Sequence, residues 1–534
     1  MPDPKVHDRR WWILAVLIVS LFTVNLDNTV LNVALPTLAR SLHADTSQLQ
    51  WMVDAYVLLF AGMLLAAGAL GDRFGRRRVM LIGLVLFGVG ALASAFAPNS
   101  ETLILLRAAM GVGGALIVPS TLSVTSQVFT MEERPKAIGI WTGVSGLGIV
   151  AGPVLAGWLL EHYAWGAIFL INVPIVLISL VGVVALVPEG RSADAAKLDI
   201  PGIGLSVGGL VTLVYGIIEA PGAGWTSAAE LAAFGLAGLM LAGFVVRELT
   251  TSEPLLDVRL LARPAFGSSI LAVLLTSFGL FGSMFFLSQY LQGVLSFGTM
   301  EAGFSILPLA IAMAVFSPAA LMLARLIGTR LTVAGGMACV AAGLLVMRLA
   351  GTTDGYPAVA TTLFLVGAGM GVAMTPPTVV MIRALPRSKQ GVASAMNSTA
   401  RELGGALGVA ILGSLANPIY AAGVRPATAV LPAGAGTAVH DSLAGAGVVA
   451  SYLPAAQADA LMGVARSAFV DGMGAAVVAG AIVALAGAVV ALAFLPGRAG
   501  VAAAASEQVP AGTATTGIGR TRVPSTASPT PESA

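Results

Sequence analysis

Three ionisable residues interrupt apolar stretches near the start of the chain, namely Asp27, Asp54 and Arg107. At the centre of a bilayer an ionisable side chain costs about 2.5–3.5 kcal/mol on insertion scales. Each of the three therefore needs either a partner that offsets this cost or a function that requires the charge. At 1.5 Å per residue, Asp27 lies ~22 Å into its stretch, and the other two lie ~6–8 Å below the opposite surface. All three therefore share one depth, which permits either acid to pair with Arg107.

Two acids that face one base carry one negative charge in excess when both acids are ionised. Burial favours the neutral carboxyl and a nearby arginine favours the carboxylate, so an acid balanced between them can take up and release a proton. We predict that Asp27, Arg107 and Asp54 couple to protons or cations. The alternatives are a static ion pair and, for Asp54, a position among the lipid headgroups.

A short polar run follows the second apolar stretch. It contains Gly68, Gly71, Asp72, Arg73, Gly75, Arg76, Arg77 and Arg78. We predict that Asp72 bonds to the N-terminus of a neighbouring helix, where the helix dipole favours an anion, and that the arginines pair with acids across the turn. Such contacts break when helices rock, which indicates a two-state gate. Orientation in the membrane explains the arginines alone, but not Asp72 or the glycines.

The fifth apolar stretch contains Gly148, Gly152, Pro153 and Gly157. Small residues at four-residue spacing let helices approach closely, and proline removes a backbone donor and bends a helix. We predict a bend that also seals one conformation of the protein. Close packing alone is the alternative.

Polar, aromatic and methionine side chains inside the apolar stretches are candidates for a substrate cavity, with ordinary packing as the alternative for the aromatic and methionine residues. These candidates are Asn25, Asn28, Asn32, Tyr56, Trp141, Gln289, Tyr290, Gln292, Met370 and Met374. Arg401 and Glu402 form a second-half charge pair, which we place near the cytoplasmic mouth. They are either a neutralised pair or a gate.

Other chemistry is disfavoured by the residues that the chain has. The single cysteine, Cys339, and the four scattered histidines argue against a metal site. Walker, His-Glu-x-x-His and Gly-x-Ser-x-Gly patterns do not occur in the right context, so we expect no ATP use, no cofactor and no enzyme activity. Only 10% of residues are charged and the net charge is +2, which argues against nucleic-acid binding.

The elements that must position these residues are membrane-spanning helices, because 57% of the chain is hydrophobic and a span needs about 20 apolar residues. Fourteen such runs are present. They cover about 12–34, 50–70, 79–97, 102–127, 137–160, 166–187, 200–218, 228–246, 266–291, 303–324, 331–349, 357–381, 394–416 and 472–496. Placing both termini in the cytoplasm puts 22 of the 28 lysines and arginines on that side.

The pattern predicts an all-α integral membrane protein with two six-helix bundles and an inserted helix pair. The predicted parts are a cytoplasmic N-terminus (1–11), an N-terminal bundle (12–190), the insert (198–247), a C-terminal bundle (264–497) and a disordered tail (498–534). An outside loop over 417–471 is expected to be a linker, with a short amphipathic helix over 454–469 as the alternative. The turn Leu323–Arg330 is a degenerate counterpart of Gly68–Arg78, which indicates duplication of a six-helix unit.

At these residues the chain resembles the major facilitator superfamily and, more narrowly, its fourteen-span drug:proton antiporters of the EmrB/QacA type. The resemblance covers about residues 10–497. Its motifs are Leu26-Asp27-x-Thr29-Val30-x-Asn32-Val33-Ala34-Leu35-Pro36, Gly68 to Arg77, Leu103 to Gly113 around Arg107, Gly148 to Gly157, and Trp165 to Pro174 with Phe169 and Asn172. Three positions depart from the family pattern, namely Met110, Ala156 and Gly166.

The resemblance implies a drug:proton antiporter, and no substrate follows from its motifs. We predict a proton-coupled exporter of amphiphilic, cationic drugs or antibiotics that works as a monomer in a bacterial cell membrane. The fifth-helix motif implies export rather than uptake. Two alternatives stay open at this point: a dedicated exporter of one endogenous metabolite, antibiotic or lipid, and a membrane receptor that transports nothing.

Overall fold

The chain folds into antiparallel α-helices, and no strand occurs in the part of the chain that the structure describes. The computed structural model describes residues 8–495 apart from 43, 45, 131, 190–198, 252–253, 255, 257, 354, 386–389 and 429–430. Residues 1–7 of the predicted N-terminal segment, the predicted tail over 498–534 and most of the junction before the insert therefore lie outside the described residues.

Seven helices form the N-terminal half, and two form the insert. In the N-terminal half they are α1 (Arg10–Leu42), α2 (Thr46–Phe74), α3 (Arg76–Ser94), α4 (Ser100–Val128), α5 (Arg134–His162), the short α6 (Ala167–Leu170) and α7 (Asn172–Leu186). In the insert they are α8 (Ile200–Ala223) and α9 (Ala228–Thr250). The sixth predicted span corresponds to α6 and α7 together.

The C-terminal half follows a 3-10 turn at Val258–Leu260. Its helices are α10 (Pro264–Gln289) with a π turn at Tyr290–Val294, α11 (Thr299–Ser305), α12 (Leu307–Ile327), α13 (Thr329–Met347), α14 (Tyr356–Ala384), α15 (Gln390–Thr428), α16 (Ala433–Asp441), α17 (Leu443–Ala450) and α18 (Ala455–Phe494). Helices thus cover all fourteen predicted spans, the sixth as α6 and α7 and the tenth as α11 and α12. Thirteen of these described segments are long and apolar enough to cross a membrane by composition, and α5 is the other long helix.

The prediction of a linker over 417–471 is wrong, because most of this segment is helical. Helix α15 continues to Thr428, α16 and α17 follow, and α18 begins at Ala455. The alternative helix over 454–469 forms, as the first part of the 40-residue α18. The segment is held by long-range contacts that its Ala- and Gly-rich sequence does not reveal. The Tyr420 hydroxyl donates to Val439 O at 2.9 Å, and Arg466 donates to Gly293 O at 3.1 Å.

Two turns mark the same end of the molecule, which we call the basic end: the α2–α3 turn at Gly75 and the α12–α13 turn at Gly328. The two halves meet closely toward this end. A Cβ added to Gly68 would lie 2.5 Å from Gly391 O, and one added to Gly139 would lie 3.1 Å from Pro318 Cα. The α2–α15 and α5–α12 pairs therefore form backbone-to-backbone contacts between the halves.

The insert packs against both halves at once. Helix α8 contacts α2 and α15. On the N-terminal side the Trp51 and Tyr215 rings stack with their centroids 6.2 Å apart. On the C-terminal side, Trp225 Nε1, in the α8–α9 turn, donates to Ser414 Oγ at 2.9 Å. The insert therefore bridges the two halves along the α2–α15 side.

Candidate functional site

A buried ion pair lies in the middle of the N-terminal half. Arg107 Nη1 on α4 donates a hydrogen bond to Asp27 Oδ2 on α1, and the two side chains are 1% and 2% exposed. Of the two pairings that the sequence allows, the structure forms the one with Asp27. Removing one partner of such a pair leaves an uncompensated buried charge, which typically costs 3–5 kcal/mol.

Three further groups hold the two charges in place. Asn172 Nδ2, at the start of α7, donates to Asp27 Oδ1 at 3.1 Å. Arg107 Nε donates to Met52 O at 3.1 Å, and the guanidinium carbon lies 4.4 Å from the centroid of the Tyr56 ring. Both carboxylate oxygens and both sides of the guanidinium therefore have partners, as a buried charge requires.

Glycines on α4 set the position of Tyr56 and hence of Arg107. The Cβ of any larger residue at Gly111 would collide with the backbone carbonyl of Tyr56, and one at Gly114 would lie 2.8 Å from the Tyr56 hydroxyl oxygen. Helices α2 and α4 can thus approach closely enough for the aromatic ring to face the guanidinium. This gives a physical role to the glycines that follow Arg107 in the sequence.

The fifth-helix motif contacts the helix that carries Asp27. The Thr29 hydroxyl lies 3.2 Å from Gly148 O, and Thr29 packs directly on Gly152, where a Cβ would overlap it. A Cβ at Gly148 would lie 2.7 Å from Asn25 Cβ. Helix α5 continues through Pro153 to the buried Gly157, and the side chain of Pro153 lies outside the described residues. The bend and seal predicted there remain predictions.

Asp54 lies on α2, two residues before Tyr56, and is half-buried. Arg107 pairs with Asp27. The coupling role of Asp54 remains a prediction.

Asp72 connects the two halves at the basic end. Its Oδ1 accepts from Gly391 N at 3.0 Å and its Oδ2 accepts from Val392 N at 3.2 Å, at the start of α15. Arg76 Nη2 donates to the same Oδ1 at 2.7 Å. A carboxylate at a helix N-terminus is stabilised by unpaired N–H groups and by the helix dipole. This is the contact that the residue types in the motif predict.

The glycines of the same motif allow this approach. At Gly68 an added Cβ would lie 2.5 Å from Gly391 O and 2.7 Å from Ala395 Cβ, so a side chain there would push the halves apart. Gly75 has φ 103°, a conformation that side chains disfavour, and it separates α2 from α3.

The other arginines of the turn make contacts within the N-terminal half. Arg77 Nη2 donates to Val184 O at 2.6 Å, and Arg78 Nε lies 3.5 Å from Glu189 Oε2. Arg73 lies against the ring of Phe74, 5.9 Å from its centroid. The expected pairing of arginines with acids therefore occurs for Arg76 and Arg78.

The cavity candidates do not form one group. Tyr56 lies against Arg107, Asn28 lies near Tyr56, and Trp141 Nε1 donates to Thr121 Oγ1 at 3.1 Å. Others sit elsewhere in the two halves. Asn25 is half-buried, Gln289 bonds within its own helix, Tyr290 donates to Gly351 O, Gln292 is exposed, and Met370 and Met374 are buried core residues. The side chain of Asn32 lies outside the described residues.

Arg401 and Glu402 pair with each other, with Arg401 Nη2 3.3 Å from Glu402 Oε1. The predicted position near the cytoplasmic mouth is wrong. Helix α15 begins at Gln390, eleven residues before Arg401, so Arg401 lies about 16 Å along the helix. The charge of Glu402 also acts on Tyr56 of the other half. The pair thus lies deep in the protein rather than at a mouth.

Sequence reasoning missed two parts of the site. The sequence marks Asn172 only as a member of a motif, because an amide near the end of an apolar run does not stand out. Its signal is its place in the sixth span, away from the basic end and at the depth of Asp27. Gly391 and Val392 contribute backbone N–H groups. Nearly every residue has such a group, so the residue type does not indicate this contact.

The chain is similar to known membrane proteins along most of its length. The profile of the Major Facilitator Superfamily matches residues 17–409. The multidrug efflux pump LfrA of Mycolicibacterium smegmatis is 38% identical over 90% of this chain and 95% of its own. The tetracenomycin C resistance and export protein of Streptomyces glaucescens is 33% identical over 97% of both chains. The methyl viologen resistance protein SmvA of Salmonella typhimurium is 34% identical over 86% and 93%.

Solved structures share the arrangement of the helices. The human organic anion transporter MFSD10 superposes with a TM-score of 0.59 at 14% identity, over 90% of this chain and 99% of that one. A bacterial homologue of the human lysosomal transporter Spinster gives 0.58 at 16% identity, over 93% and 100%. At these identities the likeness concerns the fold alone.

Proposed function

The chain belongs to the major facilitator superfamily, and we propose that it is a drug efflux transporter that exchanges protons for amphiphilic cations by alternating access. It is a multi-pass membrane protein with the fold of a transporter rather than of a soluble enzyme. Its relatives are named for multidrug efflux, antibiotic export and methyl viologen resistance. One observation carries the coupling part of the proposal: the buried pair of Asp27 and Arg107.

Asp27 is the proposed proton acceptor. When a proton binds one of its oxygens, the carboxylate charge is lost and its attraction for Arg107 ends. Arg107 keeps the Met52 carbonyl and the Tyr56 ring as partners. A hydrogen bond to a charged group contributes about 1.5–3 kcal/mol and a desolvated cation–π contact about 2 kcal/mol, so the arginine can remain charged. A bound cation would offset the same carboxylate, which makes proton and cation competitors.

The motion of α1 links this site to α5. Because Thr29 on α1 contacts Gly148 and Gly152 on α5, a shift of α1 on protonation changes the packing of the helix that also meets α12. The contact of Asp72 with the start of α15 would break and re-form as the basic end opens and closes. We propose that Asp72, Arg76 and Gly68 form the latch of this gate, with Arg73, Gly75 and Arg77 shaping the turn.

The proton gradient supplies enough free energy without ATP. Each 100 mV is worth about 2.3 kcal/mol per charge, so one proton can sustain a substrate gradient of about fifty-fold. The proposal includes no resident cofactor and no nucleic-acid partner. It places the protein in the cell membrane as a monomer, with the basic end and both termini in the cytoplasm, as the distribution of lysine and arginine favours.

Inverted membrane vesicles test the proposal. Vesicles are energised to an acid interior and loaded with a fluorescent ΔpH probe, and lipophilic cations are added one at a time, followed by neutral and anionic amphiphiles. Several unrelated cations should restore fluorescence in vesicles with the native chain, and Asp27→Asn should abolish the response.

Asp459→Asn serves as the matched control, because this acid is exposed on α18. It should behave as the native chain does. Full proton release by the Asp27→Asn protein would remove Asp27 from the coupling mechanism while leaving the transporter assignment intact.

A narrower substrate range is the second candidate. It is favoured by the similarity to an export protein named for a single antibiotic, over 97% of both chains. Such a protein would export one endogenous metabolite, antibiotic or lipid. It would give no response to the cation panel, and a response to one compound that the source organism makes.

A further inference from the structure

A cavity of about 600 Å³ opens in the C-terminal half at the end opposite to the basic end. Helices α11 and α12 follow one another toward the basic end and α13 returns, so the starts of α11 and α14 both lie at the opposite end. The cavity lies between these two starts and the loop after the π turn. Its lining includes Phe297, Met300, Glu301, Phe304 and Tyr356. A volume of this size is typical of a site for a small molecule.

Three aromatic rings line the cavity. The centroids of the Phe297 and Tyr356 rings are 6.0 Å apart, and the ring planes are inclined by 49°. Phe304, one turn after Met300 on α11, is 52% exposed. The face of an aromatic ring is negative and attracts cations, and a methionine side chain adapts to ligands of different shape. This lining therefore suits a large apolar ligand that carries positive charge.

Glu301 gives the cavity a negative charge. Of the seven described residues that line the cavity it is the one that is charged, and it makes no ion pair among the described residues. Glu301 and Phe304 are three residues apart on α11, so they lie on the same side of the helix. The carboxylate repels anions, and a neutral ligand gains from the rings alone. Charge and rings together therefore favour an organic cation.

Contacts outside the cavity hold its walls in place. Arg466 Nη2 on α18 donates to Ser296 Oγ at 2.8 Å, next to Phe297. This contact supports Ser296 at φ 58°, a conformation that residues other than glycine seldom adopt. The Tyr356 hydroxyl lies 3.5 Å from Ser305 O, which joins the starts of α14 and α11. Arg466 itself does not line the cavity. Walls that are already ordered lower the entropic cost of binding a ligand.

The cavity adjoins the boundary between the two halves. Helix α11, which carries Met300, Glu301 and Phe304, contacts α5 of the N-terminal half. Helix α5 also contacts α1, which carries Asp27. The α11 wall of the cavity therefore belongs to the surface along which the halves move in the proposed alternating access.

We propose that this cavity is a second binding site for amphiphilic organic cations, in addition to the Asp27–Arg107 pair. The choice of exported cations as its ligands rests on the proposed function, whereas the preference for a cation follows from Glu301 and the three rings. The membrane surface favours aromatic residues such as Tyr356. It does not account for a carboxylate in the same cavity as three aromatic rings.

The test measures binding of radiolabelled tetraphenylphosphonium by equilibrium dialysis, with the purified full-length Asp27→Asn chain in a nonionic detergent. This chain lacks the proposed coupling acid, so a cation that it still binds does not depend on that acid. We expect one saturable site. Adding Glu301→Gln should lower its affinity about fivefold, the upper value for a charge pair at a surface. Adding Phe304→Leu should lower it by up to about fivefold, because the ring is lost while the apolar bulk stays.

Two matched controls separate charge from apolar surface. Glu101→Gln neutralises an exposed acid at the start of α4, at the same end of the N-terminal half, and should leave the affinity within twofold. Tetraphenylborate has the shape of tetraphenylphosphonium and the opposite charge, and it should not displace the cation. If the Asp27→Asn chain does not fold, an azido derivative of tetraphenylphosphonium is photolysed on the native chain. The label should then map to the peptide that contains 297–305.

Four results would overturn the inference. The first is the loss of all saturable binding in an Asp27→Asn chain that keeps the native melting temperature, and the second is equal affinity in the Glu301→Gln and Glu101→Gln variants. The third is displacement by tetraphenylborate, which would indicate a merely apolar surface. The fourth is complete displacement by phosphatidylethanolamine, which would assign the site to a lipid headgroup. Proton release from vesicles tests export separately, so either proposal can fail while the other stands.

Discussion

The α2–α3 and α12–α13 turns have the same backbone and opposite chemistry. Each is broken by a glycine with positive φ, 103° at Gly75 and 91° at Gly328. In the first turn Asp72 binds both Arg76 and the start of α15. The second turn has no acid, and Arg330 bonds to a backbone carbonyl instead.

The difference indicates that the two halves contribute different groups to the contact between them. The N-terminal half contributes side-chain charges, in the Asp27–Arg107 pair and in the Asp72–Arg76 pair. The C-terminal half binds Asp72 of the second pair through the backbone N–H groups of Gly391 and Val392, at the start of α15. The two turns thus share a backbone geometry, while the first also has the acid that holds the start of α15.

The largest expected effect concerns the buried pair of Asp27 and Arg107 in the N-terminal half. Arg107→Ala leaves Asp27 buried without its partner, so we expect the free energy of unfolding to fall by about 3–5 kcal/mol. Thermal unfolding in detergent, followed by tryptophan fluorescence, measures this change. Adding Asp27→Ala should recover part of the loss, because no buried charge then remains alone. A loss below 1 kcal/mol for Arg107→Ala would contradict the assignment of a dry ion pair.

A smaller effect is expected from filling the contact between the halves. Gly68→Ala places a methyl group 2.5 Å from Gly391 O, and overpacking of this kind typically costs 1–3 kcal/mol. The control is Gly335→Ala in α13, where no atom lies within 4 Å. Because alanine favours helix over glycine by up to about 1 kcal/mol, that variant should be slightly more stable. Equal melting temperatures for the two variants would argue against the close approach.

Removal of the latch charge should have a still smaller effect. Asp72→Asn keeps the oxygen acceptor but loses the attraction of a charge for the helix start, which is worth about 0.3–2 kcal/mol. Hydrogen exchange at the amides of Gly391 and Val392 should then speed up by about twofold to thirtyfold. Asp459→Asn should leave these amides unchanged. Unchanged exchange in the Asp72 variant would show that its charge does not hold the halves together.

The smallest effect is expected in the insert, where Arg247 pairs with Asp199 and the arginine side chain is 45% exposed. Hydrogen bonds from Arg247 lower the pKa of Asp199 below its ordinary value. The carboxylate therefore contributes stability above its unfolded-state pKa of about 3.9, and this contribution is lost as pH falls through the lower folded pKa. Asp199→Asn should lower the melting temperature slightly at pH 7, and the gap to the native chain should narrow below about pH 4. A gap that stays constant down to pH 2 would contradict this linkage.

Most of the fold follows from the sequence because the bilayer permits few alternatives. Long apolar runs separated by basic turns specify helices and their order, and helices cover all fourteen runs in the structure. The segment over 417–471 could not be predicted in the same way, since an Ala- and Gly-rich sequence suits a linker and a packed helix equally. Contacts such as Tyr420 with Val439 decide between them.

The sequence predicts the parts of the site where a charged residue lies in an apolar helix, because burying a charge costs free energy. Asp27, Arg107 and Asp72 stand out because a charge in an apolar helix needs a partner. Partners that carry no charge do not stand out, which is why Asn172 and the N–H groups of Gly391 and Val392 required the structure. The depth of Arg401 was misjudged because apolarity does not mark where a helix starts, and α15 begins at Gln390.

The bridging position of the insert has a mechanical consequence. Contacts of α8 with both α2 and α15, together with the Trp225–Ser414 hydrogen bond, resist separation along one flank of the cleft. Nothing comparable joins the halves on the α5–α12 flank within the described residues, where the contact is direct. In the proposed alternating access, the halves therefore cannot separate along this flank without breaking the contacts of α8, whereas the α5–α12 flank is held by direct packing alone.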